Sequence, residues 1–227
     1  QSRELLHKAP SLHPSIRLFG MDDATVASIM RPSLNLQEWA AVLEALDSQH
    51  PKAIVIDQLF AILDAGPITN EASKIALTRI AKLNTPIITG SFVSPSKIPG
   101  HAPMPLDDPA FDLMQSIDKA ATLSQSPEEQ ALTLPIADKR KTIAYGPASS
   151  LRGAFHHVGH ILYGREGRYQ PFLRLDGGKV LPHIMLRAFE PKFSQQRLFV
   201  NDYEIKLDKD GSAPIDFVSP SRIVKNI

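Results

Sequence analysis

Three carboxylates early in the chain are spaced so that they could do chemistry together. Asp22 and Asp23 follow the apolar run Ile16-Arg17-Leu18-Phe19, and Asp57 closes the run Ala53-Ile54-Val55-Ile56. If both runs are strands of one open parallel sheet, all three acids lie at its carboxyl edge, where such sheets bind ligands. Like charges gathered there raise a carboxyl pKa or recruit a divalent cation. Two chemistries answer to that pattern: a Mg²⁺ site, and the polar floor of a small-ligand pocket. A third reading involves no chemistry, because Asp22 or Asp23 can cap a helix that starts at Ala24 by accepting its backbone N–H groups. Thr89, within the apolar run Pro86-Ile87-Ile88-Thr89-Gly90-Ser91, would stand at the same edge.

Other constellations are weaker. His156-His157-Val158-Gly159-His160 places three imidazoles in five residues, and His157 and His160 would share a helix face and could hold Zn²⁺ or Ni²⁺. Gly159 interrupts such a helix, and no acid or cysteine nearby completes a ligand set, so a pH-sensitive surface loop is the simpler expectation. Asp208-Lys209-Asp210-Gly211 resembles half of a calcium loop but has Ser219 where the final glutamate belongs, so a hairpin turn fits better. Neither Gly-x-Ser-x-Gly, Gly-x-Gly-x-x-Gly nor a P-loop occurs. No cofactor is expected, and no motif points to catalysis.

The elements that would position these residues alternate in type. After the strand Ile16–Phe19, a helix over Ala24–Ile29 stops before Arg31-Pro32, since the residue preceding proline avoids helical angles. Leu36, Trp39, Val42, Leu43 and Leu46 form one face of a helix over Asn35–Gln49. The β-branched run ending at Asp57, a helix over Glu71–Leu83 and the strand Pro86–Ser91 complete the pattern of a parallel βαβ core in the N-terminal half. Five prolines at 95, 99, 103, 105 and 109 mark a loop, and a helix is expected over Asp112–Thr122.

The last third reads as hairpin-rich α+β sequence. Lys141–Tyr145 is a strand, and His160–Tyr163 and Arg168–Leu173 flank the turn Gly164-Arg165-Glu166-Gly167 as a hairpin. Val180–Phe189 reads as helical. Leu198–Val200 and Tyr203–Leu207 form a second hairpin, and the Asp208–Gly211 turn leads into a strand over Ala213–Val218. The fold class expected is therefore α/β with one mixed sheet.

Bulk properties exclude several function classes. The chain has 227 residues, a formal charge of +1 and 22% charged residues, with no basic cluster that would track nucleic acid. Its length lets it bury roughly 70% of its unfolded surface, enough to fold without metal or disulfide staples. Absence of cysteine rules out thiol catalysis and thiolate metal sites. No apolar run reaches the ~18 residues of a membrane span. The opening Gln-Ser-Arg-Glu reads as the start of an excised piece.

Asp22-Asp23, Asp57 and Thr89 can be laid on the scheme of response-regulator receiver domains, but the lysine that scheme needs about twenty residues beyond the threonine is missing and Lys97 comes too soon. A second resemblance spans roughly residues 14 to 220. It rests on Gly20-Met21-Asp22-Asp23-Ala24-Thr25-Val26, then Arg31-Pro32 and Trp39, then Ile56-Asp57-Gln58-Leu59-Phe60 and Ile87-Ile88-Thr89-Gly90-Ser91-Phe92. Gly159-His160-Ile161-Leu162, Leu181-Pro182-His183, Leu207-Asp208-Lys209-Asp210-Gly211 and Ile215-Asp216-Phe217-Val218-Ser219-Pro220 continue it in order. In this succession the chain resembles the CHASE domain of the second type, an extracytoplasmic sensory module of bacterial receptors. Arg168 stands alone where that family carries paired arginines.

The resemblance implies one sensor domain over residues 1–227, with 1–14 linking it to a preceding transmembrane helix and the C-terminal end truncated. It implies a place on the periplasmic side of the inner membrane, flanking transmembrane helices, and a cytoplasmic adenylate or guanylate cyclase or histidine kinase as output. The fragment itself is then not an enzyme. It pairs as a homodimer in the intact receptor and answers to a small molecule or protein signal. The expected ligand-binding residues are Asp22, Asp23, Asp57, Thr89 and Arg168, with no metal. The rival expectation is a cytosolic Mg²⁺-dependent phosphoacceptor or small hydrolase built on Asp22, Asp23 and Asp57.

Overall fold

The computed structural model describes residues 14–30, 33–60, 70–105, 107–111, 137–139, 141–162, 168–189, 191–194, 197–200 and 203–214. The chain divides into two units, one comprising Gln1–Asn35 and Pro214–Ile227, the other Leu36–Ala213. The first unit contains helix α1, Asp23–Ile29. Asp22 starts it: its carboxylate accepts the Thr25 N–H at 2.8 Å and the Thr25 hydroxyl at 2.7 Å. Met30, at φ 54°, ends it in the left-handed region. The strand expected over Ile16–Phe19 does not form; these residues are irregular, and Leu18 and Phe19 are exposed. An apolar run becomes a strand only when it finds a cross-strand partner, and none pairs with it among the described residues.

The second unit opens with α2 (Leu36–Asp47), β1 (Ile54–Ile56), α3 (Glu71–Ala81) and β2 (Ile87–Ser94). Then come β3 (Ala137–Asp138), β4 (Ile143–Tyr145), α4 (Ser149–Arg152) and β5 (His157–His160). β2 organises the mixed sheet. β1 pairs with it in parallel, Ile54 opposite Ile87 and Ile56 opposite Thr89. β5 also pairs with it in parallel, Ile88 opposite His157 and Ser91 opposite His160. Farther along β2, β4 runs antiparallel, with Phe92 opposite Tyr145. The chain is α/β, and β1, β2, α2 and α3 lie where the apolar periodicity expects them.

α2 and α3 close one side of this sheet. Ala40 and Leu43 of α2 and Ala76 and Ile80 of α3 cluster with Ile54 and Ile87. Each fully buried isoleucine contributes roughly 1.5–3 kcal/mol relative to an exposed one. Trp39 meets Phe60 edge to face at 5.8 Å, and Phe60 lies 4.7 Å from Phe155. Asn70 caps α3 by accepting the Ala72 N–H at 2.8 Å. The Arg79 guanidinium binds the Glu44 carboxylate across the two helices.

Further elements are β6 (Arg168–Tyr169), β7 (Phe172–Arg174), β8 (Val180–Pro182), α5 (Ile184–Phe189), β9 (Lys192–Ser194), β10 (Arg197–Val200) and β11 (Tyr203–Ile205). β3, β7 and β8 form one small sheet and β9, β10 and β11 another. The hairpin expected at 198–207 is present as β10 and β11, with Val200 opposite Tyr203. The turn that follows is also as expected: the Asp208 N–H donates to the Ser212 carbonyl and the Gly211 N–H to the Asp208 carbonyl, both at 2.8 Å.

Two expectations fail here. The hairpin expected of His160–Tyr163 and Arg168–Leu173 is not found among the described residues; His160 instead ends β5, which joins β2 in parallel, burying Val158 and His160. Val180–Phe189 is not one helix. Its first residues pair antiparallel with β7, because Leu181 precedes Pro182 and is steered to extended angles, and the helix begins only at Ile184. The helix expected over Asp112–Thr122, the turn Gly164–Gly167 and the strand residues after Pro214 lie outside the described residues. Among the described residues no helix is long and apolar enough to cross a membrane.

Candidate functional site at the end of the parallel strands

A buried polar row crosses the sheet where its parallel strands end. Ser91 of β2 stands opposite His160 of β5, and His160 forms an isolated parallel bridge with His183, which follows β8. Paired residues on neighbouring strands face the same side of a sheet. All three are buried: Ser91 and His160 are 0% exposed and His183 is 3% exposed. The two imidazoles meet edge to face with centroids 5.1 Å apart, and the Tyr169 ring meets that of His183 at 5.8 Å.

Close backbone approach makes the row possible. Gly159 precedes His160, and a Cβ there would lie 2.7 Å from the backbone N and Cα of Ile184. The start of α5 therefore sits directly against β5. Arg187 of α5 extends this seam, donating from Nε to the Val158 carbonyl at 3.2 Å and from its second amino group to the Ala110 carbonyl.

Backbone contacts decide the protonation of both histidines. Nδ1 of His160 accepts the Leu162 N–H at 3.2 Å, and Nδ1 of His183 accepts the Met185 N–H at 3.3 Å. Each neutral ring therefore carries its hydrogen on Nε2. Burial, and after it the neighbouring His183, push His160 well below the usual imidazole range. Burial alone pushes His183 down to about 4 and the Tyr169 phenol up to about 12. At neutral pH the row is an uncharged set of buried donors. Among the described residues, neither the His160 Nε2–H nor the Ser91 hydroxyl has a hydrogen-bond partner.

The residues expected from sequence are distributed differently. Asp22 and Asp23 belong to the first unit, where Asp22 caps α1 and Asp23 occupies its first turn. Hydrogen bonds from the Thr25 hydroxyl and N–H hold the Asp22 carboxyl below its ordinary range. Asp57, Thr89 and Arg168 belong to the second unit. Asp57 is exposed just past β1, and Thr89 is buried one residue away in register, its hydroxyl donating to the Gln58 carbonyl at 3.1 Å. Arg168 holds the 208–212 turn, donating from Nε to the Ser212 hydroxyl at 2.7 Å and from an amino group to the Asp208 carboxylate. Among the described residues no group of three or more His, Cys, Asp or Glu could hold a metal ion.

The histidine cluster corrects one expectation. It is a strand and not a surface loop, so His157 and His160, three apart, point to opposite sides, and only His160 is buried. Ser91, His183 and Tyr169 were not singled out from sequence. The available signal was an imidazole or hydroxyl ending an apolar β-branched run, in Val158-Gly159-His160 and Ile87-Ile88-Thr89-Gly90-Ser91. Comparison of the chain with protein-family models, curated proteins and solved structures finds no match.

Proposed function

We propose that the chain is the extracytoplasmic sensory domain of a bacterial transmembrane receptor, with a binding role and no catalytic one. The observation that carries this reading is the state of the buried row. The His160 imidazole presents Nε2–H, without a partner among the described residues, so the nitrogen left to meet a guest donates a hydrogen bond and cannot take a proton as a general base must. A site of neutral donors at the carboxyl end of parallel strands suits recognition of a ligand. The ordered succession of motifs shared with the CHASE domain of the second type supports the same reading and supplies the receptor context.

In that context the domain works as a homodimer, flanked by transmembrane helices, on the periplasmic side of the inner membrane. Its parent carries a nucleotide cyclase or histidine kinase as output. A ligand that binds one arrangement of the dimer better shifts the population toward it, and the shift reaches the output through the flanking helices.

A thermal-shift screen of small metabolites tests the binding role. A ligand of the folded state raises the melting temperature by mass action, and Ser91→Ala should remove that rise while leaving the chain folded. If no compound stabilises the wild-type chain, or if every stabilising compound acts equally on Ser91→Ala, the reading fails.

A further inference from the structure

We infer that His160 and His183 form an acid-operated latch: their neutral rings hold the start of α5 against β5, and a proton on His183 lets α5 come away while the rest of the second unit stays folded. The latch is a property of the fold and stands apart from the sensory reading.

α5 has six residues, too few to keep a helix by backbone bonds alone. His183 completes its first turn twice over. The His183 carbonyl accepts the Leu186 N–H at 2.9 Å, and ring Nδ1 accepts the Met185 N–H at 3.3 Å. The imidazole thus does what serine or asparagine does at other helix starts, satisfying an amide that the helix itself cannot. The His183 N–H donates to the Pro171 carbonyl at 2.8 Å, which fixes the cap beside β7. So held, α5 buries Ile184 and Leu186, presses the Ile184 backbone on Gly159, and lends Arg187 to the Val158 and Ala110 carbonyls.

A proton undoes the cap. Nε2 of His183 already carries hydrogen, so the added one goes to Nδ1 and faces the Met185 N–H across 3.3 Å. The attraction that capped the helix becomes a repulsion, and a buried ring becomes a cation. The neighbouring imidazole, 5.1 Å away, gives no relief: Nδ1 of His160 accepts the Leu162 N–H at 3.2 Å and has no lone pair left to share the proton. Ring and helix start therefore separate.

The charged groups around the ring do not steady that cation. β5 brings His160, and β6 brings the Tyr169 phenol, which burial pushes up to about 12 and keeps neutral. α5 itself carries Arg187, a second cation. Asp108, at the turn Pro109–Phe111 that packs on β5 and β8, is bound through both oxygens by Arg152. Arg174 of β7 stands opposite Val180, at the far end of the pairing from Pro182. β1 and β2 carry no ionisable side chain. Burial pushes His183 down to about 4, so an opened α5, with the ring in water near 6.5, takes the proton first. The closed form is whole above about pH 6.5 and gives way as pH falls toward 4.

Amide hydrogen exchange of the 227-residue chain, corrected for the intrinsic rate at each pH, tests the latch. Protection at Met185 and Leu186 should fall by roughly tenfold or more between about pH 6.5 and 4.5, while Ala76 and Ile80 of α3 keep theirs. Asparagine caps a helix and does not titrate, so His183→Asn should hold α5 protected over the same span.

Loss of protection in α5 and α3 together overturns the latch, since acid then unfolds the whole unit. Steady protection of α5 down to pH 4.5 overturns it as well, and so does a His183→Asn chain that opens as the wild type does. Should His183→Asn not fold, ¹⁵N titration of the wild-type imidazoles decides: Nδ1 of His183 must gain its proton over the pH span in which α5 opens, and a mismatch overturns the inference. None of these outcomes touches the sensory reading, which the metabolite screen decides.

Discussion

At the scale of single residues, two hydroxyls on the same strand face opposite fates. Thr89 donates to the Gln58 carbonyl and ties β2 to the segment after β1, whereas Ser91, two residues on, is buried with nothing to bond among the described residues. Thr89→Val should therefore cost about 1 kcal/mol, because it leaves a carbonyl unsatisfied. Ser91→Ala should be neutral or stabilising by up to about 1 kcal/mol, because it removes an unpaired polar group. Urea midpoints of the two variants check this, and a Ser91→Ala that unfolds more readily than Thr89→Val would contradict it. The buried imidazoles give a pH signature. His183 is held at about 4 in the fold against 6.5 in an unfolded chain, so it is neutral in the fold while the unfolded chain gains a proton. Its contribution is whole above about pH 6.5 and is lost as pH falls toward 4, a span worth on the order of 3 kcal/mol. His160 is depressed in the same direction and adds to it. The carboxyls held low by partners, such as Asp47 through Thr85 and Asp108 through Arg152, lose their contribution only at more acid pH. Urea midpoints falling steadily from pH 6.5 to 5 agree with this, and midpoints that stay flat across that window do not.

At the scale of elements, close approach of β5 and α5 holds the row together. Gly159→Ala would drive a methyl group into the Ile184 backbone, where neither side can give, and should destabilise the chain by about 1–3 kcal/mol. Denaturant unfolding reads that loss, and a Gly159→Ala variant as stable as wild type would show that α5 does not press on β5. Much of this level is legible in the sequence. The amphipathic stripe of Leu36, Trp39, Leu43 and Leu46 marks α2, and the β-branched runs mark β1 and β2, because burial on a periodic face imposes the pattern. The path of β5 was not legible. Gly164 and Gly167 look like a hairpin turn, but which edge a strand joins depends on contacts distant in sequence, and here β2 lies some seventy residues upstream. The same limit hid the site. Ser91, His160 and His183 are adjacent only through strand pairing, so no spacing along the chain reveals them. The acids Asp22 and Asp23 drew notice because they are neighbours in sequence, and local geometry explains Asp22 as a helix cap.

At the scale of the whole molecule, the proposed sensory role asks the buried row to report its occupancy to an output. A sensor needs a site whose filling changes the relative stability of two states, and the Ser91 hydroxyl and His160 Nε2–H, without a partner among the described residues, give a guest differential free energy to supply. Strong catalytic perturbation is not required for that. The contrast with a Mg²⁺-dependent phosphoacceptor can be tested in the source cell. An antibody against this 25.0 kDa chain, applied to membrane and soluble fractions, reads the size and place of the native polypeptide. The account predicts a band much larger than 25.0 kDa in the membrane fraction, while a soluble band near 25.0 kDa would contradict it.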